Sequence, residues 1–375
     1  MTTSPAEHLP QEGRGPEPSS QQSRHGLSRR TFVGGAAAAA AGISLAGGLT
    51  QPAAATAAAT ATGRMPAGFG SVSTAPHLPA GFTRTFTSRF IRTGGLRQHA
   101  VIGGDGPPLL LVHGWPENWY AWRMLMPALA RHFTVIAVDQ RGIGLTGKPE
   151  DGYDSATLAD DLVALMDALG HERFAVAGHD TGVLIGYALA ADHPHRIDRV
   201  ALAEVPGPPR TAASPPLFTP AAVNNRLWHI PFNRVDDELT EKLVSGREEV
   251  FFGYEFDIQG GARLPAYART YYFRLFSDPG TLRGSFGLYR AWDASLAQND
   301  ARAKKKLTMP VLAIGGAESW GEAVGDAMKP LAEDVRSVVI PGAGHWVAEQ
   351  APGEMLAALT GFLAPYRAAA SRPHR

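Results

Sequence analysis

The sequence predicts an α/β fold: a mostly parallel sheet flanked by helices, with a helical lid inserted after a strand that ends near Glu204. Three observations predict it. Short continuous apolar runs recur along the chain, as strands buried on both faces do. Helical segments separate them, so successive strands run parallel through right-handed crossovers. That alternation breaks between about 206 and 302, in a stretch dense in Pro, Trp, Phe and Tyr, and then resumes.

In chain order, Phe82 to Ile102 is rich in Thr and Arg with Gly94-Gly95 at its middle, and reads as an antiparallel hairpin at the sheet edge. Strands follow at 109–112, 133–138, 173–177 and 200–203, and again at 311–314 and 337–340. Asp154 or Ser155 caps a helix whose Leu158, Leu162, Leu165, Met166 and Leu169 share one stripe, and Gly170 ends it. Pro206, Pro208, Pro209, Pro215 and Pro216 lead into the lid. Its Phe218, Trp228, Phe232, Phe251, Phe252, Phe256, Tyr271 and Tyr272 divide between lid core and a bulky apolar pocket. The core therefore spans 82–205 and 303–368, and the lid 206–302, over the sheet end where such folds bind ligands.

Residues 1–62 are kept apart from the fold. A polar leader precedes Ser28-Arg29-Arg30-Thr31-Phe32-Val33, a mild apolar run to Leu49, and Ala53-Ala54-Ala55 as a peptidase site. This resembles a twin-arginine export signal, so the expected partner is that export machinery and the expected location outside the cytoplasm. The chain has 375 residues and no cysteine, which excludes thiolate chemistry and disulfides. Lys+Arg and Asp+Glu balance at 35 each, which gives no reason to expect nucleic acid and suits a neutral, apolar small molecule. Gly142-Ile143-Gly144-Leu145-Thr146-Gly147 has dinucleotide-loop spacing, but a loop, Lys148 to Gly152, follows where a helix must start. No cofactor and no metal are expected.

The chemistry centres on Gly178-His179-Asp180-Thr181-Gly182, between the 173–177 strand and an apolar helix. Glycines two before and two after Asp180 permit a sharp strand-to-helix turn that thrusts it out over the sheet. A carboxylate there is already ionised and attacks saturated carbon, leaving an ester on the enzyme. Water must then add to that ester, and His345, in Gly344-His345-Trp346 beyond the last strand, is the candidate base. Two acids could orient it, Glu204 or Glu318, each at a strand end; an isolated glutamate on an apolar strand favours Glu204. The amides of Trp115 and Thr181 are the expected oxyanion hole. His179 reads as structural, and Pro116 as a candidate cis residue.

From about 84 to 366 the chain resembles the epoxide hydrolase and dehalogenase branch of the α/β-hydrolase superfamily. The motifs are His113-Gly114-Trp115-Pro116-Glu117, Trp122-Arg123, Asp139-x-Arg141-Gly142-x-Gly144, Gly178-His179-Asp180-x-Gly182 and Gly344-His345-Trp346. The resemblance implies an epoxide hydrolase in which lid tyrosines bond the oxygen. Tyr289 matches one of them; near the other position stand Trp228 and His229, which substitute or simply pack the lid. The same residue types could instead hold a halide, so a haloacid or haloalkane dehalogenase is the alternative. Thr181 stands where haloalkane enzymes carry Trp and fluoroacetate enzymes Arg. A non-catalytic ligand-binding member of the fold is the third reading.

Overall fold

The apolar runs form eight strands of one sheet: β1 (Phe86–Thr93), β2 (Leu96–Gly103), β3 (Pro108–Val112), β4 (Thr134–Val138), β5 (Phe174–His179), β6 (Ile197–Ala203), β7 (Val311–Gly316) and β8 (Val335–Ile340). The computed structural model describes residues 68–211, 219–236 and 238–370; the leader 1–62, with Arg29, Arg30 and Ala53-Ala54-Ala55, and Phe218, expected in the lid, lie outside them. Across the sheet the order is β1-β2-β4-β3-β5-β6-β7-β8. Only β2 runs against the rest, paired antiparallel to β1 and β4. The mostly parallel α/β sheet expected from the sequence is therefore what forms.

The hairpin closes through Gly94 and Gly95, at φ 55° and 110°. It starts later than expected. Phe82–Thr85 is a turn of helix, because Phe82 folds inward onto Phe86 and Trp119, with ring centroids 4.5 and 5.9 Å away. Asp154 is the residue that caps the Ser155–Ala168 helix, accepting from the amides of Ala156 and Thr157 at 3.2 Å. Ser155 is used otherwise: its hydroxyl donates to Gln298 at 2.7 Å and accepts from Arg302. Leu158, Leu162, Leu165 and Met166 are buried against the sheet, each contributing roughly 1.5–3 kcal/mol of burial.

Among the described residues between β6 and β7 lie seven helices: Ala221–Leu227, His229–Asn233, Leu239–Val244, Glu248–Ile258, Ala266–Phe276, Pro279–Arg290 and Trp292–Arg302. The last already docks on the core, where Ser295 accepts from the Ser155 amide and Arg302 pairs with Asp192. Among the described residues no helix is long and apolar enough to cross a membrane. Phe252, Phe256, Tyr271 and Tyr272 are buried where the insertion meets the core, against Trp115, Trp346 and Tyr120, so these rings pack the two together.

The 142–147 glycines wrap a carboxylate of the chain itself. Asp139, at the end of β4, accepts from the amides of Trp119 (3.1 Å) and Leu145 (3.0 Å) and pairs with His99 at 2.8 Å. Gly144 sits at φ 56°, and a Cβ there would collide with Asp139 Oδ2. Gly144→Ala should therefore cost about 1–3 kcal/mol, from strain and a displaced buried carboxylate. Urea unfolding measures it as a lowered midpoint at constant slope; an unchanged midpoint refutes this account of the loop.

Candidate active site

β5 ends at His179 and the helix Thr181–Asp192 begins one residue beyond Asp180, so this residue alone makes the junction. Its φ is 51° and ψ −115°, a conformation costing of order 1–3 kcal/mol for a residue with a side chain. The flanking glycines do not take that strain, since neither has a positive φ. They are needed for space instead: a Cβ on Gly178 would collide with the Gly182 carbonyl, and one on Gly182 with the Val112 carbonyl of β3. Close packing of strand, turn and helix forces the strain onto the residue at the apex.

The Trp115 amide, in the loop after β3, donates to Asp180 Oδ1 at 2.8 Å, and the Trp115-Pro116 bond is cis. Thr181 opens the helix, where backbone N–H groups have no intrahelical acceptor, and its hydroxyl accepts from Gln140 at 3.3 Å. On the other side, His345 Nε2 lies 3.4 Å from Asp180 Oδ2 and Nδ1 3.2 Å from Glu204 Oε2. The second Glu204 oxygen accepts from the Gly316 amide at the end of β7. Glu204 is thus the acid beside His345, whereas Glu318 is exposed and joins the fold through its backbone. His179 clamps the loop: it faces Glu117 at 3.0 Å through Nδ1 and donates from Nε2 to the His345 carbonyl at 2.7 Å.

Burial pushes the Asp180 carboxyl up, but the bond and charge of His345, the charge of His179 and the Trp115 amide outweigh it and hold the group below its ordinary range. Burial likewise pulls His345 down, and the two carboxylates override it, so the imidazole is pushed up to about 10. The resting arrangement is an imidazolium between two carboxylates.

Asp180 and His345 open into a cavity of about 220 Å³. Its wall includes Leu184, Val205, Leu227, Ile230, Trp292 and Trp320, with His229, Glu255 and Tyr289 as polar groups of the insertion. Burial pushes the Tyr289 phenol well up, and the charges of Asp180 and Glu255 push it further, so it stays a neutral O–H donor. The Trp115 ring stacks on His229 at 5.2 Å and meets Tyr289 edge-on at 5.4 Å. Trp228 does not line this cavity. It lies on the outer side, in a cluster with Phe232 and Phe251 at 5.6 and 5.1 Å, because adjacent residues at the start of a helix point about 100° apart. Among the described residues no group of three or more His, Asp or Glu is arranged to hold a metal ion.

A family model described as alpha/beta hydrolase fold matches residues 107–352. The chain belongs to the α/β-hydrolase family. The chain is 32% identical over 283 residues to the soluble epoxide hydrolase of Corynebacterium sp. (strain C12), covering 73% of this chain and 96% of the relative. It is 27% identical to a fluoroacetate dehalogenase of Burkholderia sp., over 77% of this chain and 98% of that one. The solved epoxide hydrolase CorEH superposes with a TM-score of 0.70 at 31% identity, covering 75% of this chain and 99% of that one.

Two polar residues of this α/β hydrolase's site escape sequence reading. Glu255 is 2% exposed, yet lines the cavity, and Asn233 is fully buried close to Tyr289. Glu255 falls in the aromatic run Phe251 to Phe256, where a single acid among apolar neighbours was the available signal. The raised His345 gives a pH test. Its ion pairs stabilise the fold fully below the ordinary value of 6.5, and that contribution is lost as pH rises through about 10. The stability gap between wild type and His345→Asn should shrink over that interval in denaturant titrations; a gap that is flat across it contradicts the shared imidazolium.

Proposed function

We propose that this α/β hydrolase is an epoxide hydrolase that works through an ester on Asp180. The observation that carries the proposal is the orientation of the Asp180 carboxylate. Oδ1 is held by the Trp115 amide, while Oδ2 lies beside His345 under a cavity that Tyr289 and His229 both line. Oδ2 attacks an epoxide carbon, the C–O bond breaks, and the oxygen is received by donors on the insertion, which serves as a lid. Tyr289 contributes a hydrogen bond from its neutral hydroxyl. Esterification then removes the Asp180 charge, one of the two that hold His345 up. Burial pulls the imidazole back toward its neutral form, ready to take a proton from water. That water adds to the ester carbonyl, whose oxygen stays on the Trp115 amide and takes the Thr181 amide as its second donor, and a vicinal diol leaves.

The haloacid alternative is disfavoured by charge. A carboxylate substrate needs a cation to itself; the cavity wall among the described residues has no Arg or Lys, and each of its histidines already faces a carboxylate, His345 those of Asp180 and Glu204 and His229 that of Glu255. A neutral, apolar epoxide has no such requirement.

Single turnover in heavy-oxygen water, with an epoxide and a haloalkane or haloacid offered separately, should label the Asp180 carboxylate only with the epoxide. His345→Gln should accumulate the ester by intact-mass measurement, Asp180→Asn should trap nothing, and Tyr289→Phe should slow ester formation about 100-fold. No diol from a broad epoxide panel, or labelling that follows halide release, refutes the proposal.

We further infer export of the protein by a twin-arginine route, supported by the order polar leader, Arg29-Arg30, mild apolar run and Ala53-Ala54-Ala55. Replacing both arginines with lysine should retain the protein in the cytoplasm on cell fractionation; unchanged export of that variant counts against the inference.

A further inference from the structure

Glu255 has no part in the chemistry so far, although it is a carboxylate nearly closed to solvent in the wall of an apolar cavity. Such a charge is costly unless something nearby uses it. Its Oε1 lies 3.1 Å from His229 Nδ1 and accepts from Gln259 Nε2 at 2.6 Å, while Gln259 also donates to the Arg226 carbonyl at 2.9 Å. The carboxylate is therefore fixed from the C-terminal end of its own helix, with one oxygen beside a ring nitrogen. His229 is fixed in turn by stacking on Trp115, with its ring edge-on to Tyr289 at 5.8 Å.

Which nitrogen faces what decides the chemistry. A carboxylate on Nδ1 selects a proton there and leaves Nε2 for the cavity. A neutral ring of that tautomer has only a lone pair at Nε2 and repels an epoxide oxygen that is gaining negative charge. A ring with protons on both nitrogens donates to it. Resting on the epoxide reading above, we infer that Glu255 is a positioning residue that holds His229 as the imidazolium, and that His229 gives the opening epoxide its proton.

The step balances. The Asp180 Oδ2–carbon bond forms as the carbon–oxygen bond of the epoxide breaks. The Nε2–H bond breaks as the alcohol O–H forms, and His229 is left neutral, keeping its Nδ1 proton beside the Glu255 carboxylate. Later His345 sheds one proton to solvent, which frees it to act on water, and His229 regains one from solvent. Tyr289, whose proton is held well above its ordinary range, contributes a hydrogen bond throughout. The titratable groups around His229 are Glu255 on the Glu248–Ile258 helix, Tyr289 on Pro279–Arg290, and Asp180 and His345 across the cavity; Arg226, on Ala221–Leu227, lies near Glu255.

Two measurements on the whole protein test this. Nitrogen-15 NMR of histidine-labelled protein should show His229 protonated on both nitrogens at neutral pH, and on one only in Glu255→Gln. This readout needs no substrate. With styrene oxide as probe, Glu255→Gln should slow ester formation about 100-fold with KM and ester hydrolysis unchanged, and Glu255→Asp should restore part of the rate. The Glu255→Gln, His229→Gln double variant should be no slower than His229→Gln alone. A neutral His229 in the wild type overturns the inference whatever the enzyme hydrolyses, as does a Glu255→Gln effect confined to KM or additive with His229→Gln. Loss of epoxide turnover by the wild type, with the NMR result intact, would refute the epoxide reading and with it the proton transfer, leaving the Glu255–His229 ion pair.

Discussion

A buried carboxylate is costly to keep ionised, and Asp180 is kept so by groups from three separate parts of the chain. The Trp115 amide comes from the loop after β3, His345 from the loop after β8, and His179 from β5 itself. None is near another in sequence; the sheet brings them together because its parallel strands β3, β5 and β8 all end on the same side. The backbone constraint at the apex acts in the same direction. With Gly178, Gly182 and Val112 in close approach, Asp180 takes a positive φ and its side chain is directed out of the packed turn. Glu204 repeats the pattern one strand along, with φ 67° at the end of β6 and its carboxylate turned onto His345 and the Gly316 amide. Two strained residues at adjacent strand ends thus enclose one imidazole.

The fold was legible because its signals are local. Runs such as Leu109 to Val112 are buried on both faces and carry no polar residue, and Asp154 and Gly170 mark a helix at both ends. The nucleophile candidate and His345 stand in glycine-flanked turns at strand ends, which short windows of sequence reveal. What lies beyond them depends on tertiary placement. Glu204 and Glu318 both follow strands, and only the packing of the His345 loop separates a buried partner from an exposed one. Trp228 and His229 are adjacent, so one step around a helix puts the ring of one outside and that of the other in the cavity. Glu255 stays hidden in an aromatic run for the same reason: periodicity marks a face as apolar without saying what stands opposite it.

Geometry by itself does not make a catalytic site. Ser88, His99 and Asp139 form a chain at 2.9 and 2.8 Å that has the residue types and spacing of a hydrolytic triad. All three are at most 3% exposed, and Ser88 is occupied by the Val72 amide. The group ties β1, β2 and β4 together where β2 reverses direction. Asp180, His345 and Glu204 differ in having a cavity in front and a carboxylate that can be esterified, so the charge balance around His345 can change.

Trp115 joins the two halves of the site. Its amide belongs to the core and fixes one oxygen of Asp180; its ring belongs to the cavity and supports two polar side chains of the insertion, stacking on His229 and meeting Tyr289 edge-on. Phe251 and Phe252 brace the other sides of that ring at 6.1 and 5.7 Å. The separation between the Asp180 carboxylate and the His229 and Tyr289 side chains, to which the proposal gives the attack and the receipt of the oxygen, is therefore set through one residue. A substrate that fits between them is held against both ends at once, which converts the rigidity of a packed aromatic cluster into alignment of the reacting atoms. Glu204 and Glu255 are themselves closed to solvent and Asp180 nearly so, and their charges act on their imidazoles with little screening.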